Sequence, residues 1–159
     1  MRGRAVSVSV LSVVLALFLA GAGWGEPVQK KSLSLEDARK AAAAASTEAK
    51  KNKWAMAIAV VDDGGHLIYF ERIDETQFGS IDIAIGKART AVSLKRPTKA
   101  LEDALNGGQY AILTFPNILP REGGIPVIAD GKVIGAIGVS GGTSPQDAQV
   151  ANAGVDALK

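Results

Sequence analysis

EGGIPVIADGKVIGAIGVSGGTSPQDAQVANAGVDAL, residues Glu122–Leu158, reads as two apolar strands joined by a tight turn, then a Gly-Gly bend, then a capped helix. Two runs rich in Val and Ile, Ile125–Ala129 and Lys132–Val139, flank the pair Asp130-Gly131. Asp-Gly between apolar runs predicts a β-hairpin, because a type I′ turn needs positive φ at both central residues and these residue types tolerate it. Ser144-Pro145-Gln146-Asp147 then reads as a helix start, with a capping hydroxyl, a proline at the first helical position and an acid at the third. The glycines at 135, 138, 141 and 142 point to another element approaching the backbone closely.

A second hairpin is predicted upstream, where Met56–Val61 and His66–Arg72 are joined by Asp62-Asp63-Gly64-Gly65. Met56–Val61 has no polar alternation, so it is expected to be buried on both faces, with helices on both sides of the sheet. Ser34 caps an alanine-rich helix running to about Asn52, with Leu35, Ala38, Ala42, Ala45 and Ala49 at helical spacing. Ser80 opens another, with Ile81, Ile85, Ala88 and Val92 on one face, and Arg96-Pro97-Thr98 breaks it. Thr98 is placed to cap a short helix that buries Leu101, Ala104 and Leu105 and ends at Asn106-Gly107-Gly108. Ala111–Thr114 reads as a short strand. The expected fold is α+β: a single domain with about five strands in a largely antiparallel sheet and helices packed on its faces.

Residues 1–22 read as a signal peptide. Arg2 and Arg4 form a basic start, Val6–Ala20 is uncharged and apolar, and Ala20-Gly21-Ala22 fits a small-x-small cleavage site. An apolar core of roughly 15 residues is short for a membrane anchor, which needs about 20. Residues 23–33 are polar and unpatterned and read as a flexible arm before the domain at 34–159. The 18 Lys and Arg face 16 Asp and Glu, so removing Arg2 and Arg4 leaves a neutral chain. Such a chain has no electrostatic footprint for nucleic acid and, after cleavage, no charge patch for a membrane surface. There is no cysteine, hence no lipid-anchored or disulfide-stapled form. The expected address is periplasmic or extracellular.

The hairpin-to-helix stretch, together with MAIAVVDDGGHLIYFERID (Met56–Asp74), SIDIAIGKARTAVSLKRPT (Ser80–Thr98) and GGIPV (Gly123–Val127), resembles the small haem-binding proteins of the HbpS/GlcG type. That family is related to the C-terminal domain of PduO-type proteins. The resemblance spans nearly the whole chain after residue 33, and it implies a homo-oligomer that binds haem or a similar small molecule.

Beside that expectation, the residues offer their own candidates. His66 is the only histidine and the metal ligand to consider first, since imidazole is the usual haem ligand. Its plainer reading is a solvated turn residue. Tyr69, Tyr110 and Met56 are the other potential iron ligands, each more commonly a core residue. Lys87, Arg89, Lys95, Arg96 and Arg72 form a basic group suited to haem propionates. Within it, Lys87, in the segment that matches the family's lysine-bearing helix, and Arg96 are the cofactor-binding candidates. Arg89 and Lys95 read as an ordinary solvated helix face and turn.

Gly138-Val139-Ser140-Gly141-Gly142 matches the letters of a nucleophile elbow, but no histidine follows Ser140 to complete a triad. The amides of Gly141–Gln146, and Gly123-Gly124 reached through Arg121, are general anion sites of low specificity. Asp62, Asp63, Glu71, Asp74 and Glu75 lack the spacing of a calcium loop. No catalytic residue is assigned. Two functions stand: an exported haem-binding protein for storage, sensing or protection, which the resemblance implies, or an enzyme or enzyme accessory acting on a small carboxylate or corrinoid.

Overall fold

In the computed structural model, which describes residues 25–159, both hairpins form and join side by side, the first strand of the first hairpin pairing with the second strand of the second. The elements are α1 (Leu35–Lys51), β1 (Ala57–Asp62), β2 (Leu67–Arg72), α2 (Gly79–Leu94), α3 (Lys99–Asn106), a 3-10 turn (Tyr110–Thr114), β3 (Gly124–Ala129), β4 (Lys132–Ser140) and α4 (Ser144–Asp156). The strands lie in the order β2-β1-β4-β3, and every pair is antiparallel. Residues 1–24, which include the predicted signal peptide, lie outside the described residues. Among those described, no helix is long and apolar enough to cross a membrane.

The β3–β4 turn forms as its chemistry requires, with φ of 48° at Asp130 and 71° at Gly131. β1 is central, and its apolar run Ala57–Val61 is buried throughout. Its two faces carry different side chains. Ile58 and Val60, with Ile137 and Val139 from β4, pack against the alanines of α1 and Val150 and Ala151 of α4. Ala57, Ala59, Val61 and Ala136 turn the other way, towards Ala84, Ala88, Ala91 and Val92 of α2. This second face is built of small residues, so α2 settles close to the sheet. At Gly138 it comes closest: an added Cβ would run into the Ala84 carbonyl and lie 2.5 Å from the Ala88 amide.

Among the described residues four strands are present where about five were expected. Ala111–Thr114 belongs to the 3-10 turn, and within it only Ile112 is buried. The two sheet edges are already β2 and β3, and the four-residue segment has no strand beside it to complete its hydrogen bonds. Helix boundaries shift in small ways. Ser34 caps α1 as expected, accepting from the Asp37 amide at 3.1 Å, but Leu35 is exposed. Thr143 rather than Ser144 caps α4, in a capping box with Gln146. Thr98 makes no cap for α3; its hydroxyl accepts from the Gly124 amide at 2.9 Å and ties the α2–α3 link to β3.

The end of the 23–33 segment is fixed. Leu33 is buried, and its amide donates to the Ile134 carbonyl at 2.8 Å. The β3–β4 register shifts between Val127 and Ile128, so Ile134 is left without a partner across the ladder. Bulges of this kind release a backbone group and redirect a side chain.

Candidate functional site

The edge formed by β3 carries a groove with a cavity volume of about 570 Å3. Three segments supply most of its walls: Leu33 and Asp37 at the entry to α1, the β3–β4 hairpin through Ile125–Ala129 and Ile134 beside the bulge, and the C-terminal turn of α4 with Leu158 and Lys159. Lys95, Arg96 and Pro97, on the link from α2 to α3, close the remaining side. Most of this lining is apolar, and the volume falls within the roughly 300–1,000 Å3 that ligand pockets span.

The edge strand is poorly suited to adding another strand. Gly124 spends both backbone groups on Thr98: its amide donates to Thr98 Oγ1 at 2.9 Å, and its carbonyl accepts from the Thr98 amide at 2.9 Å. Two residues on, the ladder alternation points the backbone of Pro126 outward as well, and proline has no N–H to offer. Side chains rather than backbone therefore define what this edge can hold.

Lys95 and Arg96 supply its charge. Both are exposed, and among the described residues neither is in an ion pair. Arg96 Nε donates to the Leu94 carbonyl at 3.3 Å, leaving the rest of the guanidinium free to turn. Lys95 terminates α2 with φ of 52°, a left-handed cap position usually filled by glycine. A lysine there carries about 1 kcal/mol of backbone strain, which places two cations in succession beside an apolar wall. The two acids in the lining differ: Asp156 is held by Lys159 at 2.7 Å, whereas Asp37 takes part in the α1 cap.

Lys87 lies elsewhere. Its Nζ is 2.6 Å from Asp147 Oδ2 and 3.0 Å from the Val139 carbonyl, and the two charged side chains are 3% and 4% exposed. Burial lowers the Lys87 amine below its ordinary value and raises the Asp147 carboxyl, each opposed by the other's charge. Asp147 Oδ1 also accepts from the Gly142 amide at 2.9 Å. The ammonium is thus an internal clamp joining α2, β4 and α4, already matched by a carboxylate.

His66 sits at the start of β2, on the opposite edge of the sheet, with its side chain 83% exposed. Its Nδ1 is 3.3 Å from Asp62 Oδ1, and that carboxylate also accepts from the backbone amides of Gly64 and His66. It completes a turn. Of the other early candidates, Met56 is fully buried, Tyr69 packs at the edge of the α1/α4 core, and Tyr110 is exposed on the 3-10 turn. Arg72 lies 5.3 Å from the centre of the Phe78 ring.

The remaining motifs are structural. Ser140 pairs with Ala57 at one end of β1, whereas His66 lies beyond its other end, more than about 16 Å further along at the rise of a strand. The amides at the start of α4 are taken, Gly142 by Asp147 and Thr143 by Gln146 at 2.9 Å. Among the described residues, no group of three or more His, Asp or Glu converges as a metal site.

The groove escaped the sequence because its walls come from four separated segments. Lys95 was legible as a charge, but the left-handed cap that turns it beside Arg96 has no marker such as glycine.

Comparison with known proteins agrees with the architecture. GlcG of Escherichia coli K12 is 46% identical over 111 residues, covering 70% of this chain and 83% of that protein. A double mutant of HbpS from Streptomyces reticuli superposes with a TM-score of 0.80 at 38% identity, over 87% of this chain and 95% of that one. A PduOC:heme complex superposes with a TM-score of 0.72 at 28% identity, over 79% and 94%. The model of a family described as haem degrading protein HbpS-like matches residues 33–156, and the chain belongs to that family.

Proposed function

We propose that this chain is an exported haem-binding protein, periplasmic or extracellular, that works as a homo-oligomer and holds haem in the groove at the β3 edge. The observation that carries the reading is an apolar groove of about 570 Å3 with two neighbouring cations at its margin that form no ion pair among the described residues. Haem is a flat apolar ring with two carboxylates. Arg96 and Lys95 would hold the propionates, and Ile125, Ile134, Val155 and Leu158 would cover the ring. Charge-assisted bonds to the propionates add orientation to the burial of the ring. Bound haem would supply an iron centre for storage, sensing or protection. The heme-bound PduOC relative supports the ligand class. Lys87 has no part in this reading, being matched already, and His66 lies too far round the sheet.

Assembly is supported by apolar side chains left in solvent on the 3-10 turn: Tyr110, Leu113 and Phe115 are 69%, 61% and 48% exposed. Adjacent apolar groups of this kind mark interaction surfaces. Light scattering on the purified protein, and intact mass of the exported chain with its N-terminus near Gly23, read these two parts of the proposal.

Hemin titration followed by absorbance tests the ligand. Wild-type protein is expected to bind hemin saturably. Arg96→Ala loses one charge-assisted contact, worth roughly 1.5–3 kcal/mol, or about a 10- to 150-fold weaker affinity. Lys95→Gly is expected to weaken hemin similarly while raising stability by about 1 kcal/mol, because glycine adopts the left-handed cap without strain. Absence of saturable binding would remove haem in favour of a small carboxylate or corrinoid. Saturable binding untouched by both substitutions would remove this groove.

A further inference from the structure

The side chains that line the groove match the porphyrin but not its metal. Iron in haem proteins is held by histidine, cysteine, methionine or tyrosine. None of these four residue types lines the groove. The chain has no cysteine, and the other conventional donors among the described residues all lie elsewhere in the fold. Met56 is sealed in the core, and Tyr69 packs against the α1/α4 cluster. Tyr110 stands in solvent on the 3-10 turn. His66 opens β2, which is three strand spacings from β3, about 14 Å across the sheet. The polar lining consists of Asn152, the acids Asp37 and Asp156, and the cations Lys95, Arg96 and Lys159. Of the acids, Asp156 already serves Lys159, and Asp37 accepts the Ser34 hydroxyl.

We infer that the groove recognises a dicarboxylate porphyrin through its ring and its two carboxylates, independently of whether iron is present. This rests on the groove being the haem site. Metal-free porphyrins, and those carrying other metals, then become ligands of the same site, and the protein acts on the wider class of tetrapyrrole dicarboxylates. The apolar wall of β3 and α4 supplies the affinity for the ring. Lys95 and Arg96, two cations at neighbouring positions, set the requirement for carboxylates.

Three probes separate the contributions: hemin, metal-free protoporphyrin IX, and its dimethyl ester, which keeps the ring and loses both charges. Each is titrated into the full purified protein, by absorbance for hemin and porphyrin fluorescence for the other two. The expected result is saturable binding of hemin and protoporphyrin IX with dissociation constants within about fivefold of each other. Each should displace the other. Arg96→Ala should weaken both by the same factor, and the ester should bind at least about tenfold more weakly than the free acid. His66→Ala should leave both affinities and the hemin spectrum unchanged. Hemin binding saturably with protoporphyrin IX about 50-fold weaker or more would overturn metal-independent recognition, while leaving haem binding intact. A hemin spectrum moved by His66→Ala would overturn it in the same way. If neither porphyrin binds saturably, the haem reading itself fails.

Discussion

Gly138→Val is expected to destabilise the domain by about 3 kcal/mol or more, enough to leave much of it unfolded at growth temperature. The reason is local and geometric. Gly138 lies in β4, opposite Ala59 of the central strand, and faces α2 rather than α1 and α4. Any Cβ there meets main-chain atoms of α2 at Ala84 and Ala88, and backbone cannot step aside as a flexible side-chain end can. The helix would have to lift off the sheet, opening space over Ala57, Ala59 and Ala136 that alanines are too small to fill. Gly79→Ala is the natural control: an added methyl at the first turn of α2 meets nothing within 4 Å, and its effect should stay within about 0.5 kcal/mol. Urea denaturation of both variants measures the difference. Equal stability of Gly138→Val and wild type would show that α2 does not rest on the sheet as described.

Lys87→Ala should be comparably severe, at about 3–5 kcal/mol, because it strands a buried carboxylate. The Asp147 side chain is almost wholly buried, and its remaining hydrogen-bond partner is the Gly142 amide. For a domain of this size the loss corresponds to a fall in Tm on the order of 10–20 °C. The pair is better described as a constraint than as a source of net stability. Replacing both charges with apolar groups of similar volume, Lys87→Met with Asp147→Leu, should recover most of the loss, since desolvation no longer has to be offset. Thermal melts of the single and double variants form a cycle whose coupling should reach 1 kcal/mol or more. A mild effect of Lys87→Ala would mean that the ammonium has access to solvent and belongs to a binding surface after all.

How much of this was legible in the sequence depends on the range of the interaction. The β3–β4 turn was readable from two residues, Asp130 and Gly131, because their φ angles are a local property. The double-sided burial of β1 followed from an unbroken apolar run, and the alanines of α1 from their spacing. Ala111–Thr114 was misread because the same residues suit a strand or a tight turn, and only the absence of a neighbouring strand decides between them.

The candidate site was harder. Lys87 read as a cation for a haem propionate; its partner Asp147 is 60 positions away, and no local pattern marks that encounter. His66 drew notice because it is the only histidine, yet it stands in solvent beside a turn acid. Arg96 was legible as a cation where a helix breaks, and it does line the groove. The groove itself needed the fold, since a β-bulge, a helix end, an N-terminal segment and a glycine-free left-handed cap meet only in three dimensions.

A crystal structure of the protein with hemin bound locates the ligand. The proposed site predicts the ring against Ile125, Ile134 and Val155 along the β3 edge, its carboxylates towards Lys95 and Arg96, and no side-chain imidazole on the iron. A ring seated instead at the β1–β2 turn, with His66 coordinating the metal, would contradict it.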